Sequence, residues 1–263
     1  MIEISAEETK KIELEILLNV TKFCEANQLR YYLTYGTLIG AIRHKGFIPW
    51  DDDVDIQMPR EDYNKLIELY HHEYIKVVVP GTPMAKHSII KVIDTRTIKT
   101  EPVFNYPNGV LGIDIDIFPI DGTPDDGAEF ETWYKKLRKC YENFFYTSQI
   151  PNGNLRHKLK ILISKIFLKK PEYYIKQAAM LHAKYPYDSS QYVGSIESLF
   201  NSPQNRVPRE CFEHTVEVDF EGEKFKAPIG YDQLLKNIYG DYMQLPPEEK
   251  RVTHHTHKTF WKD

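Results

Sequence analysis

Cysteine is scarce in this chain: Cys24, Cys140 and Cys211 stand far apart, with no CxxC spacing, in 263 residues. An odd, scattered count excludes a disulfide framework and a cysteine-ligated zinc site. Long apolar runs are missing too, and nothing approaches the roughly 20 consecutive residues needed to span a bilayer. The opening MIEISAEETKKIELE is acidic and lacks the apolar run of a signal peptide, so the expected location is the cytoplasm. Neither sign of charge dominates, with 34 Lys and Arg against 38 Asp and Glu. No dedicated nucleic-acid binder is expected from that balance. There is no repeat and no Gly/Ser tract. What remains is ordinary globular composition, 41% hydrophobic and 27% charged, in a chain long enough to bury a substantial core.

Hydrophobic periodicity orders the chain. Ser5 followed by Glu8 has the form of a capping box, and Ile12, Ile16, Val20 and Phe23 recur at helical spacing, so a helix is expected over 5–25. A strand over 30–34 leads to a tight turn at Gly36-Thr37 and a short helix ending near Arg43. A second strand is expected at 54–58 and a helix from there to about residue 72. Strands follow at 74–79, 88–93 and 110–118, the last ending at a turn over 121–124. Helices then fit 129–146, 155–167 and 172–185. A strand at 192–196, a hairpin over 211–225 turning at Glu221-Gly222, and a helix over 231–239 complete the reading. The order is an α/β front, a helical middle and a mixed tail, with a division expected between 1–125 and 126–263.

Chemistry concentrates in YYLTYGTLIGAIRHKGFIPWDDDVDIQM, residues 31–58. Gly36-Thr37, between a strand and a helix, lets backbone N–H groups approach phosphate oxygens. Asp53 and Asp55 are two apart, so on a strand they project from one face, where a pair of carboxylates can hold divalent ions against a phosphate. Asp114 and Asp116 repeat that spacing between Ile113, Ile115 and Ile117, and carboxylates set in so apolar a strand require partners. Either acidic segment alone reads as a solvated turn; the combination with the glycine turn does not. Arg43, Lys45 and Lys91 are candidates for phosphate contact, against the alternative that they are solvated surface cations. Trp50 can pack beneath the carboxylates or face a quaternary ammonium. His254, His255 and His257 near the end can bring an imidazole to donor or acceptor, or form a solvated tail. Residues 155–170 carry an apolar stripe bordered by Lys and Arg, which suits either an anionic membrane surface or a core-facing helix with snorkelling lysines.

The run YGTLIGAIRHKGFIPWDDDVDI, then IDIFPID, then YGDYMQLPPEEK with His254-His255 beyond it, resembles the LicD family, which includes bacterial phosphocholine transferases and relatives of the fukutin-related sugar-chain enzymes. The resemblance implies an α/β nucleotidyltransferase-like mixed sheet flanked by helices. The catalytic core would lie in 1–125, and a helical region with short strands in 126–263 would complete the acceptor side and tail. It implies Mg²⁺ or Mn²⁺ and transfer of a phospho-alcohol, phosphocholine from CDP-choline, to a hydroxyl of a teichoic-acid-type or lipopolysaccharide precursor, free or lipid-linked, with release of CMP. Carried over by motif, Asp53, Asp55 and Asp116 are the metal and catalytic carboxylates, and Asp114 is a supporting or acceptor-side group. Asp51 and Asp52 become turn residues behind them. Gly36, Thr37, Arg43, Lys45, Lys91, His254 and His255 fall on the donor side. CDP-ribitol, CDP-glycerol or a nucleotide-sugar phosphate remain alternative donors, since 18 Tyr and 13 Phe cannot by themselves distinguish choline. A non-catalytic glycan-binding module is the alternative of another class.

Overall fold

A computed structural model of the chain describes residues 1–82, 87–100, 111–151, 153–197, 203–253 and 257–262. The expected roles of His254 and His255 therefore lie outside the described residues, as does residue 110 at the start of one expected strand.

The first helix, α1 (Ala6–Ala26), starts where the capping signal places it, with Ser5 Oγ accepting the Glu8 N–H at 3.2 Å. The reciprocal half of the capping box is used elsewhere, because Glu8 Oε1 accepts from Trp261 Nε1. Its buried stripe of Ile12, Ile16, Leu17, Val20 and Cys24 joins the main core over a mixed sheet. The central strands are β2 (Tyr32–Leu33), β3 (Asp55–Pro59), β4 (Ile75–Val78), β5 (Ile90–Lys99) and β6 (Leu111–Gly122). β3 and β6 run parallel; β2 pairs with β3, and β5 with β6, antiparallel. β4 pairs with β5, and β7 (Tyr192–Gly194) joins the end of β6 and carries β8 (Val207–Pro208). The two ends of the chain close the far edge: β11 (Thr259–Trp261) pairs with β5, and β1 (Ile2–Glu3) with β11. This sheet of nine strands draws on both sides of residue 125.

Three boundaries differ from the sequence reading, each with a consequence. β5 continues past residue 93 to Lys99, and β6 past 118 to Gly122, because β11 and β7 give their later backbone groups partners. Gly36 and Thr37 lie inside the first turn of α2 (Tyr35–Ile39) rather than before it. That helix runs on as a π-helical turn, Gly40–His44, ended by Lys45 at φ +63°. The hairpin of β9 (Thr215–Phe220) and β10 (Glu223–Pro228) turns at Glu221-Gly222, both at positive φ, the geometry a two-residue hairpin loop requires.

Beyond the sheet, α4 (Gly127–Ser148) and α6 (Pro171–His182) share a second core around Trp133, Leu137, Tyr141 and Ala178. Between them α5 (Leu155–Phe167) buries only Ile161 and Ser164, so its leucine–isoleucine stripe faces outward instead of into a core. The short α3 (Arg60–Leu69) follows β3, and α7 (Tyr231–Tyr239) follows the hairpin.

Candidate active site

β3 enters the sheet at Asp55, whose N–H donates to Thr37 Oγ1 at 2.8 Å and whose carbonyl accepts the Thr34 N–H at 3.1 Å. The Asp116 N–H donates to the Val54 carbonyl at 2.9 Å, which locks the parallel register that sets Asp55 beside Asp116. Neighbouring strands stand about 5 Å apart, so the two carboxylates share one face as immediate neighbours. On the other side of Asp116 stands its antiparallel partner Lys91. Lys91 Nζ lies 2.5 Å from Asp116 Oδ1 and 2.5 Å from Asp114 Oδ2, and Lys99 Nζ lies 2.7 Å from Asp114 Oδ1. Charges thus alternate along the face as Asp116, Lys91, Asp114 and Lys99.

The two ends of this row differ in electrostatics. Burial opposes ionisation of Asp114, but Lys91 and Lys99 outweigh it and hold the carboxyl well below the ordinary range. Asp55, also buried, is pushed well above that range, first by burial and then by Asp53, Asp116 and Asp51, with Lys91 opposing. Asp51 is pushed up to about 7 by burial and by Asp53 and Asp52, which Lys10 only partly offsets. The carboxylates of 51, 53, 55 and 116 therefore crowd one corner with an excess of negative charge. That donor set, all hard oxygens, fits a divalent cation of the magnesium type. Asp53, Asp55 and Asp116 would hold it.

Other residues named from the sequence are distributed around this corner. Gly36 lies against it: a Cβ there would fall 2.3 Å from Asp51 Oδ2, so any larger residue would push that carboxylate aside. Thr37 fixes the backbone of Asp55, as above. Arg43 turns to the tail, its Nη1 donating to the Tyr242 carbonyl at 2.5 Å and its Nε to His44. Lys45 is exposed, and its carbonyl accepts from Glu221 at the hairpin turn. Trp50 has the Arg251 guanidinium 5.7 Å from its ring centroid.

Sequence reasoning left out Glu13, Lys99, Tyr35 and Tyr239, and placed Asp51 behind the site. Glu13 is fully buried on α1, raised by burial against Lys99, with Asp114, Asp53 and Asp52 adding to the rise. Its position beside Ile12 and one turn from Ile16 and Leu17, on the apolar stripe, was the available signal. Tyr239 keeps nearly half of its surface exposed, but its phenol is raised by local burial and then by Asp55, Tyr35, Asp51 and Asp53; nothing in its helical pattern marks it. Tyr35 carries a left-handed backbone, φ +46°, a strained conformation worth about 1 kcal/mol for a non-glycine residue. A cavity of about 480 Å³ opens beside the corner, bounded by Lys10, Glu13, Asp51, Asp52, Thr253 and Lys258.

A second buried polar group lies at the other end of the parallel pair. Arg60, directly after β3, donates to Asp121 at 2.7 and 2.5 Å and to Glu197 at 2.6 Å. Tyr141 donates to Glu197 at 2.5 Å, and His182 Nε2 lies 3.1 Å from Glu197. His182 Nδ1 is 3.1 Å from Asp121 but poorly aligned for a hydrogen bond. Among the described residues, Asp121, His182 and Glu197 form the group whose three ligand atoms lie within 4.8 Å of one another, so its geometry can accept an ion. Arg60 already supplies that group with a cation in contact with both carboxylates, whereas at Asp55 burial and Asp53, Asp116 and Asp51 outweigh Lys91. That balance favours the corner for a cation.

Comparisons with known proteins point to one family. A family model described as LicD/FKTN/FKRP, nucleotidyltransferase domain, matches residues 28–159, the span that holds Asp53, Asp55, Lys91, Asp114 and Asp116. The chain is 32% identical to the lipopolysaccharide cholinephosphotransferase LicD of Haemophilus influenzae over 277 aligned residues, covering 99% of each chain. It is also 44% identical over 54 residues to the ribitol 5-phosphate transferase FKRP of Homo sapiens and of Mus musculus, covering 20% of this chain and 11% of theirs.

Proposed function

The chain belongs to the LicD family, and we propose that it transfers phosphocholine from CDP-choline to a hydroxyl of a surface glycan, releasing CMP. The observation that carries the reading is Asp55 set beside Asp116 in the parallel strands, with Asp53 and Asp51 at the same corner. The full-length similarity to a lipopolysaccharide cholinephosphotransferase supports phosphocholine as the group moved and a lipopolysaccharide-type glycan as acceptor.

Asp53, Asp55 and Asp116 would hold a divalent cation, which would supply neutralisation of the donor pyrophosphate oxygens. The chain's own residues do the rest. Lys91 fixes the Asp116 carboxylate, and Asp114, held by two lysines, fixes Lys91. Asp116 keeps 23% of its side chain exposed and accepts the proton of the acceptor hydroxyl. The hydroxyl oxygen bonds to the donor phosphorus as the bond from phosphorus to the CMP oxygen breaks, and CMP leaves with that electron pair. Asp114, buried with both oxygens engaged, is a positioning residue.

The short similarity to a ribitol 5-phosphate transferase makes CDP-ribitol the donor to test against CDP-choline. CMP release is measured for CDP-choline, CDP-ribitol and CDP-glycerol with Mg²⁺ and a lipopolysaccharide-derived acceptor. Turnover of CDP-choline alone, lost in Asp53→Ala, is expected. Turnover of CDP-ribitol alone replaces the donor and keeps the chemistry. No Mg²⁺-dependent turnover or binding of any CDP-alcohol contradicts the catalytic reading.

A further inference from the structure

α5 presents its apolar side to solvent. At about 100° per residue, Leu155, Leu159, Leu162 and Ile166 fall in one stripe, widened by Ile163 and Phe167, while the buried Ile161 and Ser164 lie roughly half a turn away. Leu155 is 82% exposed, Ile166 73% and Phe167 79%, and the other three are close to half exposed. Scattered exposed leucines are normal on protein surfaces, but six large apolar side chains on one helix face are a patch that needs a partner.

The charge around the stripe specifies that partner. Lys158 and Lys165 border it on one side and Arg156 and Lys160 on the other, with Lys169 and Lys170 just past its end; no Asp or Glu occurs between residues 155 and 171. Long basic side chains flanking an apolar stripe form the pattern of a helix lying in a membrane interface, apolar face down and ammonium groups reaching the headgroups. A second copy of the same face would oppose like charges, which disfavours self-association. With 13 residues α5 is about 20 Å long, too short to cross a hydrocarbon core of about 30 Å, and among the described residues no helix is long and apolar enough to do so.

We propose that the outward face of α5 docks the protein on an anionic lipid surface, lying in the plane of the interface through Leu155, Leu159, Leu162 and Ile166. The inference rests on the helix alone and stands or falls independently of the donor.

The test is cosedimentation of the full chain with vesicles of phosphatidylcholine and with vesicles of equal parts phosphatidylcholine and phosphatidylglycerol, at low and high salt. Binding to the mixed vesicles, weakened by salt, is expected. Leu159→Gln with Ile166→Gln is expected to lower vesicle affinity at least about tenfold, and Lys158→Gln with Lys169→Gln roughly tenfold. These side chains are exposed, so circular dichroism and CMP release from a water-soluble acceptor are expected to match the parent. Absence of vesicle binding overturns the proposal, as does binding that both double variants retain. A dimer in sedimentation velocity that the Leu159/Ile166 variant dissolves, without vesicle binding, also overturns it and assigns the face to a second copy.

Discussion

Asp55 and Asp116 are register partners in the parallel pair of β3 and β6, one pushed above the ordinary carboxylate range by burial and then by its acidic neighbours, the other tied to Lys91 at 2.5 Å. A buried carboxylate among like charges costs the fold stability.

Removing that charge separates stability from activity. Asp55→Asn keeps the shape and deletes the repulsion, so the metal-free protein is expected to melt about 2–4 °C higher, the shift of roughly 1 kcal/mol in a chain of this size. Mg²⁺-dependent CMP release is expected to fall by about 10²–10³. Calorimetry and a turnover assay on the same preparation check both halves.

Lys91→Met has the opposite balance. It strips a buried cation from Asp114 and Asp116 and leaves Lys99 as the remaining partner of Asp114. Breaking a buried pair costs about 3–5 kcal/mol, and the lower end is expected because Lys99 stays. Urea denaturation measures it through a lower midpoint at unchanged slope.

Gly36→Ala places a methyl 2.3 Å from Asp51 Oδ2. A side-chain oxygen can move aside, so the fold is expected to survive, while displacement of the carboxylate corner lowers turnover by roughly 10²-fold. An unfolded variant would show instead that backbone, not Asp51, fills that space.

The second network gives a pH signature. Burial raises Asp121, but Arg60 and His182 outweigh it and hold the carboxyl below its ordinary value. A depressed carboxylate contributes stability that is fully present above the unfolded value of about 3.9 and is lost as pH falls through the folded one. Glu197, raised by burial, works in reverse: its contribution is present below about 4.3 and is lost as pH rises through its folded value. Arg60→Met removes the cation both depend on, so its deficit against the parent is expected to be largest near neutrality and to shrink below about pH 4. Denaturation midpoints from pH 3 to 7 record the trend.

Much of this was legible in the sequence because it is local. The capping signal at Ser5, the Glu221-Gly222 turn and the Asp114/Asp116 spacing depend on residues a few positions apart; Asp53, by contrast, lies just before β3 instead of sharing a strand face with Asp55. The parallel register that seats Asp55 beside Asp116 was not, since it depends on strands 61 positions apart in the register. The edge strands β1 and β11 were hidden for a related reason: two or three residues have no period, and only pairing with β5 makes them strands. Glu13 sits on the apolar stripe of α1, but only the sheet packed against that stripe shows that it is buried. The stripe of α5 was visible, but pattern alone cannot say whether an apolar face meets a core or a surface.

The most direct test of the central claim sets the two buried polar groups against each other. CMP release from CDP-choline is measured with Mg²⁺ and with EDTA for the parent, Asp55→Asn and His182→Gln, each checked for folding by circular dichroism. The account predicts Mg²⁺-dependent turnover that Asp55→Asn loses and His182→Gln retains within about tenfold. Retained turnover in folded Asp55→Asn, with loss in folded His182→Gln, would place the reaction at Asp121, His182 and Glu197 and contradict it.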